Sequence, residues 1–126
     1  MARFIVLPMV LVATTLSLPN AEARADSPLD FTLKNRLGVT ISHVYVSPHQ
    51  SDSWEEDVLG RDVLADGRDV KIRFDAGAKA RGDLWDLKIK TSDGKVYIWR
   101  QPGFNLRKIS EVTIILKEGK PTAVPK

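Results

Sequence analysis

"LWDLKIKTSDGKVYIW", Leu84–Trp99, decides the fold. In its first half Trp85, Leu87 and Ile89 alternate with Asp86, Lys88 and Lys90, the period of two expected of a strand with one buried face. A polar Ser92–Gly94 break then separates this run from a second alternating one, so the pair reads as a tight hairpin. Trp85 and Trp99 sit on neighbouring strands and are expected between two sheets, with Tyr97 sharing the parity of Trp99. Turned outward instead, Tyr97 and Trp99 would make an aromatic platform suited to a sugar or peptide.

Outward from this hairpin the same rhythm recurs. "LDFTLKN" aligns Leu29, Phe31 and Leu33; "DVKIRFD" aligns Val70, Ile72 and Phe74 against Lys71 and Arg73; "EVTIILK" aligns Val112, Ile114 and Leu116. In "VTISHVYV" the alternation Val39, Ile41, His43, Tyr45 is joined by Val44 and Val46 on the other parity, which suggests a bulge near His43 or cover on both sides. Gly-bearing turns fall at Asn35–Gly38 and Ala65–Gly67. Strands are therefore expected near residues 29–34, 39–47, 68–74, 84–91, 95–100 and 111–117. The expected fold is all-β, a small antiparallel β-sandwich of about six to seven strands with one short helix in a corner loop. The β-sandwich domain spans residues 26–118, and "EGKPTAVPK", with two prolines and no period, leaves residues 119–126 as a flexible tail.

Residues 1–25 stand apart from this pattern. Arg3 precedes the apolar run Phe4–Leu18, and small residues at Ala23 and Ala25 close the segment, the order of a secretory signal peptide cleaved after Ala25. The run is shorter than the roughly 20 residues that span a bilayer and contains Pro8, and no second apolar segment follows. A periplasmic or secreted location, with no membrane span in the mature chain, is the expectation. From Asp26 onward 17 basic residues face 15 acidic ones, a formal charge of +2, too small for a polyanion grip, so nucleic acid is not an expected partner. The whole chain has no cysteine, so thiol catalysis and thiolate metal sites are excluded and the core holds by burial alone. Of its 126 residues 43% are hydrophobic and 28% charged, in the range of one globular domain.

One segment interrupts the strands: "VYVSPHQSDSWEEDVLG", Val44–Gly60. Pro48 ends a strand, Ser53 with Glu56 forms a capping box, and Gly60 can close a short helix from Trp54 to about Leu59, whose Glu55, Glu56 and Asp57 complement the helix dipole. Trp54 is expected to plug one open end of the sandwich. His43, His49, Asp52, Glu55 and Asp57 are the candidate metal ligands, but no spacing supports a metal or any other cofactor: there is no H-x-x-x-H and no calcium loop. Hydrolase chemistry lacks a G-x-S-x-G elbow and an identifiable base for Ser47, and no catalytic residue is assigned. Lys71, Arg73, Lys88, Lys90, Lys95 and Arg100, interleaved with Asp69, Asp75 and Asp86, read as a solvated, charge-laced sheet face.

The combination of Tyr45–Pro48, Trp54–Glu55, Leu59–Gly60, Gly67 and Trp85–Leu87 resembles a group of small secreted bacterial proteins whose function is not established. The resemblance covers nearly the whole mature chain. Proteins that look like this sometimes carry the name argininosuccinate lyase; that enzyme is a much longer helical one with its site assembled between subunits, which a short strand-rich chain does not form. Relatives of this kind often carry cysteines at positions that correspond here to Asp83 and Arg107, and the resemblance implies an ion pair where they have a cystine.

The function expected is a non-catalytic secreted or periplasmic β-sandwich module that binds a protein or envelope partner. Its candidate surface is the corner holding His49, Asp52, Trp54, Glu55, Glu56 and Asp57, with an unpaired edge strand. The alternative is a metal-dependent or hydrolytic enzyme using His43, His49 and the acidic corner at residues 52–57.

Overall fold

In a computed structural model, which describes residues 27–54, 57–75 and 77–126, the chain forms seven strands in two sheets. They are β1 (Phe31–Arg36), β2 (Ile41–Pro48), β3 (Asp69–Ile72), β4 (Leu84–Thr91), β5 (Val96–Asn105), β6 (Glu111–Lys117) and β7 (Lys120–Pro125), with one 3-10 turn at Ala78–Arg81. Sheet A has the order β3-β1-β6-β7 and sheet B the order β2-β4-β5. The expected signal peptide, residues 1–25, lies outside the described residues.

The period-two pattern becomes burial directly. Phe31 and Leu33 of β1, Ile72 of β3 and Val112 and Ile114 of β6 point from sheet A toward Val44 and Val46 of β2 and Trp85, Leu87 and Ile89 of β4, and all are buried. Each such aliphatic side chain taken from water stabilises the fold by about 1.5–3 kcal/mol before chain entropy is set against it. Phe74 packs edge-on against Trp85 with ring centroids 5.0 Å apart and planes at 70°, the quadrupole-favoured geometry. The Trp85 indole N–H donates to the Gly82 carbonyl at 2.9 Å, so the buried ring leaves no donor unpaired. Tyr97 and Trp99 pack against the core from β5, so the outward aromatic platform does not form.

The mixed parity of β2 resolves as a bulge. Its register against β4 shifts between Ile41 and His43, so Ile41, Val44 and Val46 all reach the core while His43 and Tyr45 turn to the outer face. Buried Asn35 ties the crossing from β1 to β2. Its amide donates to the carbonyls of Val39 at 2.8 Å and Leu64 at 2.9 Å, and its Oδ1 accepts the Leu37 N–H at 3.0 Å.

Four expectations are corrected. The sandwich is not wholly antiparallel: β1 pairs β6 in parallel, Leu33 opposite Val112, because the chain visits sheet B between them and returns in the same sense. Residues 120–125 are no loose tail but an edge strand, pairing β6 from Val112↔Pro125 to Lys117↔Lys120. The positive-φ pair Glu118 and Gly119 closes that hairpin. No helix forms at Trp54 or Asp57–Leu59: Asp57 is non-helical and Val58–Arg61 is a turn. The single charge-laced face is divided, since β3, with Asp69 and Lys71, lies in sheet A, whereas Asp86, Lys88 and Lys90 lie in sheet B.

Candidate partner-binding face

The outer face of sheet B gathers the polar and aromatic residues. The β2 bulge presents His43 and Tyr45; across the ladder they meet Lys90 and Lys88 of β4, which in turn meet Val96 and Ile98 of β5. His43 stacks on Tyr45 with planes 9° apart and centroids 6.2 Å apart. Lys88 places its ammonium 4.6 Å from the Tyr45 ring and 5.2 Å from that of Trp54, and the Arg100 guanidinium lies 5.0 Å from the Trp54 ring. Such contacts are worth about 0.5–1 kcal/mol each at exposed sites. Trp54 therefore lies on the cations of the outer face and does not plug the end of the sandwich, a correction with a plain cause: Lys88 and Arg100 offer its ring a cationic seat outside the core. Val58, Leu59 and Leu64 are the buried residues of that region instead.

Two carboxylates fasten the corner to the sheet. Asp57 Oδ1 accepts the N–H groups of Val44 and Leu59, each at 2.9 Å, and the Val58 N–H donates to the Val44 carbonyl at 2.8 Å. Burial pushes the Asp57 carboxyl above its ordinary value; the two N–H donors and His43, whose Nε2 lies 4.0 Å away, pull it back only in part. Burial, and then the Asp57 charge, raise the Tyr45 phenol. Asp86, buried, is the second anchor. Its Oδ1 lies 2.7 Å from His49 Nδ1, its Oδ2 accepts the Gln50 N–H at 2.8 Å, and Arg100 Nε stands 3.3 Å away in a charge contact without hydrogen-bond geometry. Gly103, with φ +85°, presses on this group so closely that a β-carbon there would lie 2.9 Å from His49 Nδ1.

The expected corner residues thus separate. His49 is bound to Asp86, Asp57 to the edge of β2 and Trp54 to Lys88 and Arg100; Asp52 is exposed, and Glu55 and Glu56 lie outside the described residues. The two histidines lead to different carboxylates, and among the described residues no three His, Cys, Asp or Glu side chains converge as metal ligands. The sequence pattern makes Asp86 a solvated counter-charge and assigns Gly103, Val96 and Ile98 no role. No signal in the strand marks Asp86, because Lys88, two residues on, is flanked by apolar residues in the same way. Away from this face, Arg107 Nε lies 2.7 Å from Asp83 Oδ1, both side chains part exposed, so the ion pair that the resemblance implied is present.

The chain matches no protein-family model and no curated protein. Among solved structures it is similar to one described as "NMR structure of the protein from Eubacterium rectale", with a TM-score of 0.52 and 15% identity over 76% of this chain and 85% of that one. At that identity the likeness concerns the fold alone. No helix among the described residues is long and apolar enough to cross a membrane.

Proposed function

We propose that this protein is an exported, non-catalytic binding module that holds a protein or envelope partner on the outer face of sheet B. The observation that carries the reading is the pair Val96 and Ile98, 50% and 51% exposed at the open edge of that face, beside the layer of Lys88, Arg100 and Trp54. Apolar side chains left in water next to organised cations and an aromatic ring have the composition of a contact surface. The N-terminal pattern at residues 1–25 supports export. A photo-crosslinking residue installed in cells at Lys90, exposed on this face, should yield a discrete adduct, and the same residue at Lys71, exposed on sheet A, should not. Equal labelling at both sites refutes the assignment of the face.

A second reading, a metal-dependent or hydrolytic enzyme using His43, His49 and the acidic corner at residues 52–57, has one observation in its favour: the 2.7 Å His49–Asp86 contact, the arrangement that orients a general base. A melting scan with Zn²⁺, Ca²⁺ and EDTA separates the two. A metal-dependent shift abolished by His49→Ala favours the enzyme.

A further inference from the structure

Three of the four sheet edges are blunted. The β2 edge is occupied by the corner segment, through the Ile41–Leu64 bridge and the Val44–Asp57 and Val58–Val44 hydrogen bonds. The β3 strand has only four residues, and its Asp69 is paired with Arg36 at 3.0 Å. The β7 strand carries Pro121 and Pro125, which have no N–H to offer. From Val96 to Trp99, ahead of the register shift opposite Trp85–Leu87 and of Pro102, β5 has no proline, no paired carboxylate and no strand partner on its outer side among the described residues.

The orientation of its backbone follows from the ladder. The Thr91 N–H donates to the Lys95 carbonyl at 2.9 Å, and in the antiparallel register Ile89↔Tyr97 and Leu87↔Trp99 alternate with Lys90↔Val96 and Lys88↔Ile98. Hydrogen-bonded pairs alternate with open ones, so the N–H and C=O groups of Val96 and Ile98 point away from β4. The residues with exposed apolar side chains are thus also those with outward backbone groups. That is the arrangement a sheet offers to an incoming strand.

Charge selects the occupant. Lys90 and Lys95 are exposed beside Val96, and Lys88 and Arg100 lie behind and beyond Ile98. Asp86 balances Arg100 at 3.3 Å and Asp93 lies by Lys95 at the hairpin turn, whereas among the described residues no carboxylate is paired with Lys88 or Lys90, Asp57 lying at the far edge on β2. A second copy of the chain pairing β5 to β5 would set these cations against their own images, which disfavours that occupant. Resting on the binding reading above, we infer that β5 accepts an extended acidic segment of a protein partner as the fourth strand of sheet B. On the side of the segment that shares the outer face, apolar side chains flank Val96 and Ile98, and carboxylates in the same row meet Lys88 and Lys90.

The test titrates the ¹⁵N-labelled protein with two synthetic decapeptides that carry Thr at every second position and, in the positions between, Val in turn with Glu in one and Val in turn with Lys in the other, so that apolar and charged side chains share a face, and separately with phosphatidylglycerol vesicles. The Val–Glu peptide should shift the Val96 and Ile98 amide resonances and slow their hydrogen exchange. It should bind at least about tenfold more tightly than the Val–Lys peptide at low salt, with the difference shrinking as salt rises. Ile98→Pro should abolish the effect, because it removes an outward N–H and spares the bonds to β4; Ile98→Lys, which keeps the backbone, should weaken it. Equal binding of both peptides at this edge overturns the acidic class and leaves strand acceptance intact. Vesicle binding without peptide binding, or peptide binding that leaves the two amides unmoved, overturns strand addition itself. The crosslinking comparison of Lys90 with Lys71 stands apart from these outcomes and decides the binding face alone.

Discussion

Gly103→Ala tests whether the His49–Asp86 anchor is as tightly closed as its geometry states. Two costs add at this position. The backbone sits at φ +85°, a conformation that an L side chain adopts at a cost of about 1–3 kcal/mol. The new methyl would stand 2.9 Å from His49 Nδ1 and 3.3 Å from Asp86 Oδ1, so the imidazole must move off a 2.7 Å contact with a buried carboxylate. A hydrogen bond to a charged group contributes about 1.5–3 kcal/mol. The expected loss is therefore about 2.5–6 kcal/mol, read as a lower urea midpoint with an unchanged slope. On heating, each 1 kcal/mol should appear as roughly 4–8 °C in a domain of this size. Repeating the change in a His49→Ala background removes the main clash, so the added loss should fall to the backbone part, about 1–3 kcal/mol. A loss under about 1 kcal/mol in the native background, or the same loss in both backgrounds, would refute the close packing of Gly103 on His49.

Three further outcomes follow from the same geometry. Because burial raises the Asp57 carboxyl above its ordinary 3.8, the stability linked to it is fully present below pH 3.8 and is lost as pH rises through the raised folded value. Asp57→Asn should flatten that decline in a urea series across the acid range, and an unchanged pH profile counts against the buried carboxyl. Asp83→Cys with Arg107→Cys, placed where an ion pair now spans 2.7 Å, should crosslink under oxidising conditions. The bond should add about 2–4 kcal/mol, against about 0–1 for the exposed ion pair; failure to crosslink, seen by mass spectrometry, shows that the backbones are too far apart. Trp54→Ala should cost only about 1–2 kcal/mol in thermal unfolding, the loss of two cation contacts. A loss of about 3–5 kcal/mol, typical of a core tryptophan, would restore Trp54 to the interior.

The strands were legible because burial on one face imposes a period of two, and that period is local. Phe31, Leu33, Ile72, Trp85, Leu87, Ile89, Val112 and Ile114 were identified as interior from alternation alone, and all are buried. Leu116 broke the rule at 53% exposure, since it stands near the end of β6, past the reach of the opposite sheet. The broken parity of β2 was visible in the doubled valines, and the register shift between Ile41 and His43 is its structural form. The candidate site was far less readable. Asp86 and Lys88 occupy equivalent alternating positions, yet one is buried under the corner loop and the other supports an aromatic ring. Nothing within the strand distinguishes them.

From its order of residues alone this chain specified an all-β sandwich, its hairpin at Ser92–Gly94 and most of its core, because hydrophobic alternation and turn chemistry act between near neighbours. Tertiary structure decided the parallel pairing of β1 with β6, the strand made by residues 120–125, the path of the corner over sheet B and the choice of β5 as the open edge. Those depend on which distant surfaces meet. A carboxylate becomes an anchor, or an edge an acceptor, only when another part of the chain has covered it or left it uncovered.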